Sequence, residues 1–350
     1  MKVMTMFDVF DGHNDVLLRL WMKGKKDGKS GHALSLCYRD GFDAHIDHHK
    51  AKAGGLKGGF FAMFVPQQNS RGDAILGTDP VAQDDAAAVT DTMFTIMEDL
   101  ARDCPDDVAI CTSHDEITEA MRKGAMAVLP HIEGAEAIKP DLSNLDDYYA
   151  RGLRSIGPLW SRPNAFGVGV PLGFPGSPDQ GDGLTAEGRE LVRAANKMGI
   201  LIDLSHLNEK GFWDVARLSD APLVATHSNV YGLSASPRNL TEKQLGAIKE
   251  SSGMVGLNFA TGFLREDGKK TGDTALELMT RHLDVLVEAL GDDGVALGSD
   301  FDGAIIPNDI GDASGLPKLT NAMEAAGYGQ ALIEKICSQN WLKMIKKTIG

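Results

Sequence analysis

Residues 185–206 read TAEGRELVRAANKMGILIDLSH, and the change of period inside this stretch decides the fold. Through residue 198 the apolar side chains recur every three or four positions, the spacing of one helix face. Thr185 is a residue type that accepts from the first orphan amides of a helix. Gly199 is the type that ends one in left-handed backbone. Directly beyond, ILIDLSH (200–206) is a β-rich run that closes on a histidine.

The pattern repeats outward in both directions. EKGFWDVARLSD (209–220) reads as a helix leading to the strand PLVATHSN (222–229). TEKQLGAIKESSG (241–253) leads to MVGLNFA (254–260), and TALELMTRHLDVLVEALGDDG (274–294) to VALGSDFDG (295–303). Earlier strand candidates are FDVFDGHND (7–15), GGFFAMFVP (58–66), MAVLPHIEG (126–134) and LRSIGPLW (153–160), with DPVAQDDAAAVTDTMFTIMEDLARD (79–103) helical between them. Strands and helices alternating with such short connections imply parallel βαβ units. Eight strand candidates in 350 residues predict an α/β chain folded as a (β/α)8 TIM barrel of the metal-dependent hydrolase type. That barrel is expected to be one domain over residues 1–350, with loop insertions. The competitor, a doubly wound open sheet, lacks a GxGxxG after the first strand. RPNAFGVGVPLGFPGSPDQGDG (162–183) is rich in Gly and Pro and predicts a long loop after the fourth strand.

Charge narrows the function. With 49 acidic against 35 basic residues the net charge is −14, which argues against a nucleic-acid partner and fits a small substrate. No run approaches the roughly 18 apolar residues of a membrane span. The start, MKVMTMFDVF, has no sustained apolar core, and the end, NWLKMIKKTIG, is too short and basic for a lipid-anchor signal. Cys37, Cys104, Cys111 and Cys337 form no CxxC pair, so reduced thiols in a cytoplasmic protein are expected, with a Cys104–Cys111 bridge as the lesser alternative.

The polar residues that matter fall at the C-terminal ends of the strand candidates, the face where barrel enzymes build their active sites. His13 and Asp15 end the first, Glu133 the third, His206 the fifth, His227 the sixth and Asp300 the eighth. A period of two puts His13 and Asp15 on the same side. Imidazole and carboxylate are ligands suited to zinc or a similar divalent ion. Any one of these residues alone would read as a hydrogen-bonded strand end or a turn residue. Six coincidences at the same end of successive strands favour a site. The histidines of HIDHHK (45–50) read instead as a solvated helix face, His131 is a weak extra candidate, His282 lies mid-helix, and His32 and His114 lie in polar loops.

With DGHND, GGLKGGFFAMFVP, IEGAEAI, GLTAEGRELVRAANKMGILIDLSH, THSNVYGLSASPRNL and GSDFDG in this order, the chain resembles the membrane (renal) dipeptidase family, zinc-dependent amidohydrolase-like barrels. The resemblance implies two zinc ions per chain bridged by Glu133. His13 and Asp15 would complete the first site, and His206 and His227 the second. It implies that Arg238 of SPRN holds the terminal carboxylate of a small dipeptide and that the chain forms a homodimer, as relatives commonly do; from the charge and the lack of an apolar span, neither nucleic acid nor membrane is expected as a partner. D-configured C-terminal residues are among the expected substrates. Mammalian members carry a substrate-contacting histidine after the fourth strand; here Trp160 stands there and offers only an N–H donor. The expected chemistry is attack by a metal-bridging hydroxide, with Asp300 taking the proton and passing it to the leaving amine. The rivals are another hydrolase of the superfamily, acting on cyclic amides, esters or amino groups, and a metal-binding barrel that does not catalyse. Against the first stands His-x-Asp in place of His-x-His with a modified lysine, and against the second, the retained Asp300.

Overall fold

The structure, a computed structural model, describes residues 6–69 and 74–350. Eight strands match the eight predicted runs: β1 (Val9–Asn14), β2 (Leu56–Phe64), β3 (Met126–Glu133), β4 (Ser155–Gly157), β5 (Leu201–Ile202), β6 (Val224–Ala225), β7 (Met254–Asn258) and β8 (Val295–Gly298). The order β1-β2-β3-β4-β5 forms one parallel sheet, flanked at β3 by the short strand Val108–Ile110, and β6-β7-β8 a second. Single parallel bridges join the sheets at both seams, Asp203 with Val224 and Asn14 with Phe301. The result is an α/β fold around a curled parallel sheet.

The 185–206 unit forms as its residues dictate. The Thr185 hydroxyl accepts from the Gly188 amide, helix Ala186–Met198 buries Gly188, Leu191, Val192 and Ala195 as one stripe, and Gly199 ends it at φ 69°. Two residues later β5 pairs with β4.

Two apolar cores mark the two faces of the sheet. The larger lies between sheet and helices, and includes Val9, Met63, Ile132, Ile156 and Leu257. The smaller gathers Phe10, Phe60, Leu129, Leu201, Val224, Met254 and Ala296, residues of seven strands turned towards one another. Trp341 of the C-terminal helix closes that core, its ring 4.9 Å from Phe60 and its Nε1 donating to the Leu297 carbonyl at 2.8 Å. Room inside is short: a Cβ on Gly12 or Gly298 would overlap the Thr226 carbonyl.

Some local expectations change. β5 and β6 are two residues each, so His206 and His227 lie in the loops beyond them rather than on the strands. The reason is local: the Asp203 carboxylate takes the amides of Ser205 and Thr226 and turns the chain out of the ladder. His32 and His114 open the helices His32–Asp40 and His114–Lys123, not loops. The 162–183 loop contains one small antiparallel pair, Pro163–Asn164 with Gly167–Val168. All four cysteines are free and buried, so no Cys104–Cys111 bridge forms. The reading of residues 1–10 as lacking a secretory signal falls in part on residues 1–5, outside the described residues. Among the described residues no helix is long and apolar enough to cross a membrane.

Candidate metal centre and active site

Period two alone would misplace His13. Phe10 packs in the smaller core and Val9 in the larger, so strict alternation carries His13 to Val9's side. The β1–β2 register slips here: three steps from Asp11 to Asn14 oppose two from Gly59 to Phe61. Such a bulge re-aims a side chain, and His13 stacks on His227 with ring centres 3.8 Å apart.

Glu133, the last residue of β3, is the centre of the cluster. Its Oε2 lies 3.5 Å from His13 Nε2, which in turn is 3.5 Å from Asp15 Oδ2. Its Oε1 lies 3.0 Å from His206 Nε2 and 3.5 Å from His227 Nε2, and these two nitrogens are 3.3 Å apart. Ligand atoms about 2.0–2.1 Å from a tetrahedral zinc stand about 3.3 Å from one another. Both groups match that spacing. His13 Nδ1 and Nε2 and Asp15 Oδ1 are buried without a hydrogen-bond partner. Buried polar atoms are rarely left so, and the donor set fits a pair of divalent metal ions sharing Glu133.

The electrostatics agree. Burial pushes His206 down to about 4, helped by the Arg238 charge, and pushes His227 well below its ordinary range. Both rings are neutral at pH 7, the ligating form. Burial pulls His13 the same way, but the charges of Glu133 and Asp15 outweigh it and raise His13 well above its usual value. A proton there stands in for the positive charge a metal would bring. Burial also lifts Asp15 to about 7.

Asp300, after β8, is in left-handed backbone at φ 58°, and His206, after β5, is left-handed too at φ 68°. For non-glycine residues this costs on the order of 1–3 kcal/mol and persists only where neighbours enforce it. The Asp300 amide donates to the His13 carbonyl at 3.0 Å, and Asn258 Nδ2 donates to Asp300 Oδ2 at 3.0 Å. Gly303 leaves space for the Asp15 and Asp300 carboxylates, both of which a Cβ there would overlap. Burial raises the Asp300 carboxyl more than the facing His13 lowers it.

A cleft of about 360 Å³ opens over the cluster, lined by Asp15, Glu133, Trp160, His206, Phe263 and Asp300 among others. Trp160 is buried, 5.7 Å from the His206 ring and 5.0 Å from Phe64. Arg162 lies 5.3 Å from its ring and is anchored by Glu136 and the Val65 carbonyl. Arg238 does not line the cleft directly. It is buried behind Phe263, 5.3 Å from that ring, with its Nη2 donating to the His227 carbonyl at 3.1 Å and its Nε unpartnered.

His131 bonds Ser155 Oγ through Nδ1 at 2.9 Å, and its Nε2 lies 3.7 Å from Asp203 Oδ2. Of the HIDHHK histidines, His48 and His49 are on the helix His48–Gly54, but His45 precedes it, lines the cleft and accepts from the Asp302 amide at 2.9 Å. Asn258 and His45 therefore escaped the sequence reading. Asn258 could have been found by its place at the end of β7; nothing in the local pattern separates His45 from its neighbours.

Parallel strand–helix units carrying a buried histidine–carboxylate cluster at their C-terminal ends define a metal-dependent hydrolase. Residues 1–349 match the family described as membrane dipeptidase, peptidase family M19. The chain belongs to that family, and so to the metal-dependent dipeptidases. It is 48% identical over 237 residues to an uncharacterised protein of the pqqA 5′ region of Klebsiella pneumoniae, covering 68% of this chain and 88% of that one. It is 39% identical over 287 residues to an uncharacterised protein of the PQQ-III 3′ region of Acinetobacter calcoaceticus, covering 80% and 89%. Among solved structures, a Rhodobacter sphaeroides metallopeptidase liganded with a phosphinate mimic of the dipeptide L-Ala-D-Ala superposes with TM-score 0.92 at 46% identity, over 98% of this chain and all of that one. The M19 metallopeptidase dipeptidase AC superposes with the same score and identity over 99% and 100%.

Proposed function

We propose that the chain hydrolyses dipeptides, including those with a D-residue at the C-terminal position, with two zinc ions. Glu133 would bridge them, with His13 and Asp15 on the first and His206 and His227 on the second. The observation that carries this reading is the convergence of two ligand groups on the opposite oxygens of Glu133, below a dipeptide-sized cleft. The bound phosphinate mimic of L-Ala-D-Ala in the Rhodobacter sphaeroides relative supports the inclusion of L–D dipeptides. We also read the curled sheet as a closed (β/α)8 barrel and one domain, on the strength of the bridges at both seams and the shared inner core.

Two zinc ions held there would polarise the scissile carbonyl and make a water nucleophilic near neutral pH. Asp300 Oδ2 is held by Asn258, and the raised carboxyl suits a group that takes a proton and returns it to the leaving amine. Trp160, wedged between Phe64 and His206, excludes water from one side of the cleft. Arg238, behind Phe263, would place its free Nε donor towards a terminal carboxylate. That limits substrates to very short peptides. The free, buried cysteines support a reducing, cytoplasmic setting, and a homodimer is proposed on the resemblance alone.

The test is the metal content of the purified protein, followed by a panel of L–L and L–D dipeptides with free and blocked carboxylates. Two zinc ions per chain and turnover of L–D dipeptides are expected. A metal-loaded protein that hydrolyses no dipeptide would sink the reading.

A further inference from the structure

Behind the cluster lies a buried polar chain whose Asp203 and Thr226 do not line the cleft. The Asp203 carboxylate accepts at Oδ1 from the Thr226 amide at 2.8 Å and the Ser205 amide at 3.0 Å. At Oδ2 it is 2.6 Å from the Thr226 hydroxyl, and that hydroxyl is 2.8 Å from His227 Nδ1. Asp203, Thr226 and His227 are all buried to 1% exposure or less.

Proton counting settles the direction of these bonds. A carboxylate only accepts, so the single hydroxyl proton of Thr226 goes to Asp203. The oxygen of Thr226 then has only lone pairs for His227, and Nδ1 must carry the ring proton. Nε2 is left bare, facing Glu133 Oε1 and His206 Nε2. We propose that Asp203 and Thr226 are positioning residues that lock His227 in the one neutral tautomer able to bind the second metal, before any metal arrives. The inference rests on the two-metal reading for its purpose, but the tautomer is a property of the metal-free chain. Hydrogen-bond partners of ligand histidines fix ring orientation and tautomer in this way, and their loss typically lowers metal affinity about 10- to 100-fold.

The substitutions separate proton direction from packing. In Asp203→Asn the amide can donate to the Thr226 oxygen. The hydroxyl proton is then free to point at Nδ1, which favours the opposite tautomer. Thr226→Val keeps the shape and removes the relay, whereas Thr226→Ser keeps the hydroxyl.

The first measurement is ¹⁵N NMR of the metal-free, histidine-labelled protein, with the His227 signals assigned by their loss in His227→Ala. A neutral His227 protonated at Nδ1 is expected in the unsubstituted chain, and an Nε2–H ring there overturns the proposal whether or not metal binds. The second is zinc titration of the metal-free variants against a competing chelator. The second equivalent should weaken about 10- to 100-fold in Asp203→Asn and Thr226→Val, with Thr226→Ser close to the unsubstituted protein. Equal affinities across the series, or Thr226→Ser as weak as Thr226→Val, overturn it. Should Asp203→Asn fail to melt cooperatively, the Thr226 pair decides. An Nδ1–H ring in a chain that takes up no zinc keeps the relay and removes the two-zinc reading instead.

Discussion

The two halves of the cluster are built differently. On the β5–β6 side, His206 and His227 each have Nδ1 hydrogen-bonded, to Ser161 Oγ and Thr226 Oγ1 at 2.8 Å, and burial keeps both rings neutral. On the β1 side, His13 has neither ring nitrogen hydrogen-bonded and is held towards its protonated form by two carboxylates. On the proposed two-metal reading, one half is prepared for its metal by the protein. The other reaches charge balance only with a cation or a proton in place, so metal binding there must displace that proton.

The largest expected effect tests what the halves share. Glu133→Gln should cut metal content below one ion per chain and bring dipeptide hydrolysis to background; retention of two ions would mean the halves are independent. Next, Asp300→Asn should keep both metals and lose about 10²- to 10⁴-fold in kcat, and undiminished turnover would remove Asp300 from proton transfer. Arg238→Ala should cost about 10- to 100-fold on free dipeptides, the worth of a hydrogen bond to a charged group, and little on C-terminally blocked ones. Equal losses on both would mean that Arg238 supports His227 rather than the substrate.

The smaller effects are in pH. As acid is added, zinc should leave the β1 half first, because His13 takes up protons more readily than His206 or His227. Metal counted by spectrometry after dialysis should fall from two to one before it reaches zero; simultaneous loss would break the comparison. For the chelated protein, His131, His206 and His282 are each lowered to about 4 by burial. Unfolded histidines protonate near 6.5, so the unfolded state binds more protons between about 6.5 and 4. These groups therefore stabilise the fold above that window and lose their contribution as pH falls through it. His13, shifted the other way, opposes them, and so do the buried carboxyls of Asp11, Asp15 and Asp302, which burial raises to about 6, 7 and 6 and which gain protons in the folded state over the same range. The histidine share is therefore read by difference: His282→Gln, remote from the cluster, should lose less of its urea midpoint than the unsubstituted chain as pH falls from about 6.5 to 4, and an unchanged slope would contradict the assignment.

Much of this was legible in the residues alone. The alternation of helix-period and strand runs gave eight strands in the right places, and Thr185 and Gly199 bound their helix as expected, because caps and periodicity are local physics. The residue types at the strand ends marked His13, Asp15, Glu133, His206, His227 and Asp300, and the structure brings all six together. What remained hidden was relational. Alternation would turn His13 to the wrong face, and only the slip of β1 against β2 returns it to the cluster. His45 is set apart from His48 and His49, which lie on the helix behind it, by its pairing with Asp302, more than 250 residues away. Arg238 reads as a surface arginine but is buried behind Phe263.

The sequence by itself thus determined the elements and the inventory of ligand types, since both depend on neighbours along the chain. Register, burial and the direction of hydrogen bonds arise from contacts between strands far apart in sequence. Those contacts decide which nitrogen of His227 is bare and which histidines of the cluster burial keeps neutral.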